Sequence, residues 1–202
     1  MRKKIHLLLF IAILLPAMVY SQAGSNKNSF NRIITTIKGD LNKDKLPDSI
    51  IVLQDTLNEK GPYRLQLFFK TANADYRLVI QNDSAIEVEF PNGKKGLLTG
   101  TRFSHINIKA GVLIINTELL RGYYEYKFRY QNGYFALIGF KQCYSDGHGI
   151  STTTDLNLST GLLLETMERY DTDTDKIISN TKKKIKINPL PNLKEFIPFS
   201  TT

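Results

Sequence analysis

The sequence predicts an all-β protein, an antiparallel meander forming a sandwich or a partly open barrel. Three observations carry this expectation. Short segments alternate apolar and polar residues with a period of two, turn-forming pairs separate them, and no long stretch reads as a helix. A lone cysteine, Cys143, makes no intrachain disulfide, so the fold rests on a buried core or on bound metal.

Residues 1–21 read as a secretory signal peptide. Arg2, Lys3 and Lys4 precede an apolar run over residues 7–15, and Val19 and Ser21 suit a cleavage site before Gln22. The run is shorter than the roughly 20 residues of a membrane span and Pro16 interrupts it, so export to the periplasm or beyond is expected, without stable membrane insertion. No cysteine near the site offers a lipid anchor. Loss of the three basic residues leaves 24 basic against 19 acidic side chains, a net charge of about +5. So mild a charge points away from nucleic acid and only secondarily toward anionic partners such as lipopolysaccharide or acidic glycans.

Residues 22–29 make a polar leader, and residues 30–202 a single β-rich domain long enough for a sizeable core. Residues 30–38 read as a strand or a brief helix. "YRLQLFFK" places Tyr63, Leu65, Leu67 and Phe69 on one face, "YRLVIQ" does the same with Tyr76, Leu78 and Ile80, and "AIEVEF" alternates Ile86, Val88 and Phe90 with Glu87 and Glu89. In "YYEYKFRYQNGYFALIGF", Tyr124, Tyr126, Phe128 and Tyr130 alternate with charged residues up to Asn132 and Gly133, a pair that supplies the two positive φ values of a type I′ hairpin turn. Asn92-Gly93, Ala110-Gly111 and Thr160-Gly161 signal further turns. No fixed period recurs, which excludes a repeat-built propeller.

The most specific chemistry lies in "GDLNKDKLPDSIIVL". Counting from Asp40, side-chain oxygens fall at positions 1, 3, 5 and 9 (Asp40, Asn42, Asp44, Asp48), and the Leu46 carbonyl stands at position 7. Hard cations want six to eight such oxygens converging from a tight loop, so calcium is the expected cofactor. Ile50, Ile51, Val52 and Leu53 follow as an apolar run that anchors the loop to a central strand. An EF-hand is ruled out, because Ile51 stands where its bidentate Glu belongs. Lys45 replaces the usual turn glycine and must either take a left-handed conformation, at roughly 1 to 2 kcal/mol, or reshape the loop.

This stretch resembles the "GDLNxDGxxD" loops of the FG-GAP and VCBS class of secreted proteins. "FRYQNGYFALIG", "STGLLLET" and "LPNLKEF" look like pieces of a family of uncharacterised bacterial secreted proteins carrying one such loop. The resemblance implies that Asp40, Asn42, Asp44 and Asp48 are calcium ligands, with Lys45 the departure, and it implies no reaction.

Other clusters have plainer readings. Asp171, Asp173 and Asp175 form a weaker cation candidate, or simply an acidic hairpin loop. Cys143, Asp146 and His148 share one loop, which would serve a hydrolase only if folding brought thiol and imidazole to hydrogen-bond distance. His105 is expected to face solvent on the Phe103 and Asn107 side of its strand. In "KKKIKI", Lys182, Lys184 and Lys186 alternate with Lys183, Ile185 and Ile187, a pattern that guards an edge strand or binds anions. The expectation is therefore a secreted, non-catalytic, calcium-stabilised module that binds a surface glycan or protein. A hydrolase built on Cys143 and His148, or an inhibitory or structural partner of another secreted protein, are the alternatives.

Overall fold

Two antiparallel meanders face each other. The computed structural model describes residues 29–97, 100, 102–170 and 176–199. The expected signal peptide, and the leader up to residue 28, lie outside that range, as do Asp171, Asp173 and Asp175. The first sheet holds β1 (Arg32–Gly39), β2 (Asp48–Gln54), β3 (Tyr63–Lys70) and β4 (Tyr76–Asn82) in that order. The second holds β5 (Arg102–Lys109), β6 (Val112–Leu119), β7 (Gly122–Gln131), β8 (Tyr134–Ser145), β9 (Ile150–Asn157), β10 (Leu162–Arg169) and β11 (Lys176–Lys184), again as consecutive neighbours. Neither sheet closes into a barrel. The segment over residues 30–38 is strand from Arg32 onward rather than helix, and the described helical structure is one 3-10 turn, Leu193–Glu195.

The core lies between the sheets because period two gives each strand one apolar face. Tyr63, Leu65, Leu67 and Phe69 of β3 are all buried, as are Tyr124, Tyr126 and Phe128 of β7. Phe69 meets Tyr130 edge-on at 5.1 Å between ring centroids, and Tyr63 lies 5.5 Å from Phe103, so the two inner faces interlock through aromatic rings. Strand β1 abuts β5, with Gly39 against Ile108. Strands β10 and β11 contribute nothing to this core; the second sheet runs on past the first.

The turns follow the dipeptides. Asn132 and Gly133 have φ of 52° and 85° between Gln131 and Tyr134, and Ala110 and Gly111 have 49° and 73° between Lys109 and Val112, both type I′. Thr160-Gly161 closes β9 onto β10.

Three strand expectations need correction, and two trace to β-bulges. In β4 the register slips beside Leu67 and Phe68, so Ile80 pairs inward while Leu78 and Tyr76 turn out to solvent. In β5 a bulge at Ser104 puts Phe103 opposite Thr117 and His105 opposite Asn116, on opposite faces. His105 is exposed as expected, but Phe103 points into the sandwich rather than sharing its side. "AIEVEF" is not a strand. The Glu89 and Phe90 N–H groups donate to the carbonyls of Gly61 and Lys60 outside any ladder, and adjacent Ala85 and Ile86 are both buried, so the alternation there encodes a packed irregular segment.

The C-terminal tail fills the seam on the β4 side. Leu193 and Phe196 are buried, and Phe196 packs edge-on against Tyr126 and Phe128 at 4.9 and 5.0 Å. Asn192 caps the 3-10 turn and bridges to Ala136, while Leu137 N–H donates to Pro191 O.

Candidate functional site

The Asp40 loop connects β1 to β2, with Gly39 and Asp48 paired at its base. Strand β2 is interior to its sheet, as its apolar run predicts. Two side chains fix the loop to the body. Leu41 is driven into the core, 1% exposed, and Asp48 is fully buried. The Asp48 carboxylate accepts from Leu41 N–H at 2.8 Å through Oδ2 and from Lys70 N–H at 3.1 Å through Oδ1, so one acid ties the loop start to β2 and β3.

The outer acids fold the loop upon itself. Asp40 accepts from Lys43 N–H at 2.7 Å and Lys45 N–H at 2.9 Å, one on each oxygen. Asn42 Oδ1 accepts from Asp44 N–H at 3.0 Å, Asp44 Oδ1 from Leu46 N–H at 2.8 Å, and Asp44 Oδ2 from the Asn42 amide at 2.8 Å. Lys43 and Lys45 have φ of 67° and 68°. The left-handed alternative for Lys45 is thus the one taken, and Lys43 shares it. Alternating left-handed residues turn successive N–H groups inward, making a concavity that attracts negative charge. The loop's own carboxylates fill it.

This donor set suits a hard cation in chemistry, though it is already engaged in the loop's own bonds. Asp40 and Asp44 lie close enough to Asp48 to push its carboxyl up electrostatically, so three acids share one field. Burial is the larger cause of that rise, and the bonds from Leu41 and Lys70 oppose it. Among the described residues no group of three or more His, Cys, Asp or Glu is arranged to hold a metal ion. Each carboxylate keeps lone pairs beyond those bonded to backbone, since an ionised carboxyl offers about four acceptor sites. Asp40, Asn42, Asp44, Asp48 and the Leu46 carbonyl are the residues that would hold calcium.

The other clusters separate. Cys143 lies half-buried within β8, between Tyr123 and Thr153, and no hydrogen bond joins it to His148. Asp146 shapes the turn instead, its Oδ1 accepting from His148 N–H at 2.7 Å and Ile150 N–H at 3.0 Å, which holds its carboxyl below the usual range. The bulge at Ser104 assembles a group that strand alternation conceals. Ser104 Oγ lies 3.0 Å from His105 Nδ1 and 3.3 Å from Glu118 Oε1, beside a shallow cleft also lined by Asn116 and Tyr123. A nucleophilic triad sets the imidazole between hydroxyl and acid, whereas here the hydroxyl stands in the middle, between imidazole and acid. Glu118 is occupied by Arg102 at 2.6 Å, which lowers its carboxyl.

Among the described residues strand β11 pairs with β10 alone, so Lys182, Lys183 and Lys184 mark an open edge. The fold and loop together describe an antiparallel β-sandwich with an acid-built connection at one end and, at one margin, a basic strand whose outer edge is open. Comparison with protein-family models, curated proteins and solved structures finds no match to this chain.

Proposed function

We propose that this protein is a secreted, non-catalytic binding module, related in its loop to the FG-GAP and VCBS class, that attaches to a surface glycan or protein outside the cytoplasm and gains stability from calcium in the Asp40 loop. The observation that carries the reading is the extension of the second sheet. Strands β10 and β11 continue beyond the core with the outer edge of β11 open, a platform of the kind that recognises extended partners. The loop supports it from the opposite role. Its acids organise the backbone where β2 begins, a structural task that a cation reinforces without any reacting atom nearby.

The test is capture from envelope and secreted fractions by the immobilised mature chain, in calcium and in chelator, alongside a screen against hydrolase substrates. Retention of a defined component, stronger in calcium, is expected. Turnover of any substrate that disappears in His148→Ala would overturn the non-catalytic reading. Intact-mass measurement of exported protein should give a chain starting at or near Gln22; an uncleaved, membrane-fixed chain contradicts secretion.

A further inference from the structure

Beyond residue 21, the excess positive charge of the chain is concentrated in one place. Residues 22–175 carry eighteen basic and eighteen acidic side chains, whereas residues 176–199 carry six lysines against one glutamate, Glu195. Four of the six, Lys182, Lys183, Lys184 and Lys186, follow one another along the end of the open edge strand and just beyond it, and all four are exposed. Lys182 and Lys184 register with Leu164 and Leu162 on one face, and Lys183 with Leu163 on the other, so the charge wraps the margin of the sheet. The acids nearest in register are Glu165, opposite Thr181, and Asp155, one strand further in and paired with Leu164. The acidic run Asp171, Asp173 and Asp175 adjoins the other end of β11, and at about 3.3 Å per residue Lys184 stands some 26 Å along the strand from Lys176.

At this basic end lies a cleft of about 540 Å³, a size typical of small-ligand sites. Buried Leu158 contributes an apolar floor, Ser159 and Thr160 bring hydroxyls, Asn188 an amide, and Lys184 and Lys186 ammonium groups. Lys184 Nζ donates to Thr160 O at 3.0 Å, which holds one ammonium at the rim. Hydroxyl and amide groups answer sugar hydroxyls, an apolar floor answers the face of a sugar ring, and a row of lysines answers repeated acidic groups along a chain. We propose that the β11 edge and this cleft are the binding surface for an acidic polysaccharide, its uronate carboxylates or sulfate esters on Lys182, Lys183, Lys184 and Lys186 and one sugar seated in the cleft. The proposal rests on the surface-binding reading above and narrows it to one partner class.

Fluorescently labelled polygalacturonate, chondroitin sulfate and neutral dextran are titrated by anisotropy, and phosphatidylglycerol vesicles assayed by co-sedimentation, at low salt and at about 0.5 M salt, where the screening length falls to ~4 Å. Wild type is compared with Lys182→Gln/Lys184→Gln/Lys186→Gln and with a control of equal net charge, Lys60→Gln/Lys95→Gln/Lys109→Gln. A second edge variant, Lys182→Gln/Lys183→Gln/Lys186→Gln, keeps the Lys184 contact to Thr160 should the first fold poorly. The expected result is salt-sensitive binding of one or both acidic polymers, weakened tenfold or more in the edge variants and little changed in the control. Binding of the uronate alone or the sulfate alone assigns the acidic group. Equal loss in the control, equal binding of dextran, or binding only to phosphatidylglycerol vesicles overturns the proposal. Failure with every polysaccharide while a defined envelope component is still retained removes this inference and leaves the broader reading standing.

Discussion

The side-chain amide of Asn82 donates to Leu193 O at 2.7 Å and to Phe196 O at 2.9 Å, tying the end of β4 to a tail 111 residues further along the chain. The site is buried; among the bonds described Phe196 O depends on that amide alone, while Leu193 O also accepts from Phe196 N–H at 3.3 Å. Asn82→Leu strands the Phe196 carbonyl and removes the shorter of two bonds to Leu193 O, and since a buried orphan costs about 1–3 kcal/mol, a loss of that order is expected. Urea unfolding followed by tyrosine fluorescence checks it, and early trimming of the tail by carboxypeptidase should accompany the loss.

Two neighbouring tyrosines should respond oppositely to removal of their hydroxyls. Tyr126 Oη accepts from Phe199 N–H at 3.0 Å, whereas the buried Tyr124 hydroxyl, with Glu87 and Thr117 beside it, has no partner in full hydrogen-bond geometry among the described residues. Burial pushes both phenols well above their ordinary range, with Glu87 adding to the rise at each. Tyr126→Phe is expected to cost about 1 kcal/mol, and Tyr124→Phe to be neutral or slightly stabilising, because it deletes an unsatisfied group. Thermal melts of the two variants side by side decide the matter.

Gly133 sits at φ 85° with open space where a Cβ would stand. Gly133→Val therefore tests backbone strain alone, and a penalty of about 1–2 kcal/mol is expected. An unchanged denaturation midpoint would contradict the tight-turn requirement.

Calcium should stabilise the domain modestly and should not be required for folding, since the loop's amides are already satisfied by its own side chains. For a site with a Kd on the order of 10⁻⁴ to 10⁻³ M, calcium at about ten times Kd adds ~1.4 kcal/mol. Melts in calcium and in chelator should then differ by roughly 3–5 °C. Asp44→Ala should abolish the difference, and magnesium should substitute poorly because it demands a tighter octahedron. Identical melts, with no heat of binding at millimolar calcium, return the loop to a self-capped polar turn.

Asp48 gives the same loop a pH signature. Burial raises its carboxyl above the ordinary 3.8, so its contribution to stability is full below that value and is lost as the pH rises through the folded one. Asp48→Asn lacks this titration but leaves one of two backbone donors unpaired, at about 1–2 kcal/mol. In chelator the gap between wild type and variant should therefore narrow as the pH rises from about 4 toward neutral. Calcium favours the charged carboxylate and should reverse that trend. A gap that widens with pH in chelator would contradict the assigned direction.

Strand identity and the hairpins were legible in the sequence because their causes are local. Side chains two apart share a face whatever lies across the sheet, as in Tyr63, Leu65, Leu67 and Phe69, and the Asn132-Gly133 turn needs only two residues tolerant of positive φ. The spacing of Asp40, Asn42, Asp44 and Asp48 was equally legible as a set of oxygens on one loop. Tertiary structure decided where those oxygens turn: Asp48 inward to Leu41 and Lys70, and Asp40 onto its own backbone. It also decided the faces of Leu78 and Phe103, since a bulge appears only when two strands are set in register. The tail's place between the sheets and the overhang of β10 and β11 arise in the same way. They depend on how many strands one sheet sets against the other, and contacts between residues as distant as Asn82 and Leu193 leave no periodic trace in the chain that encodes them.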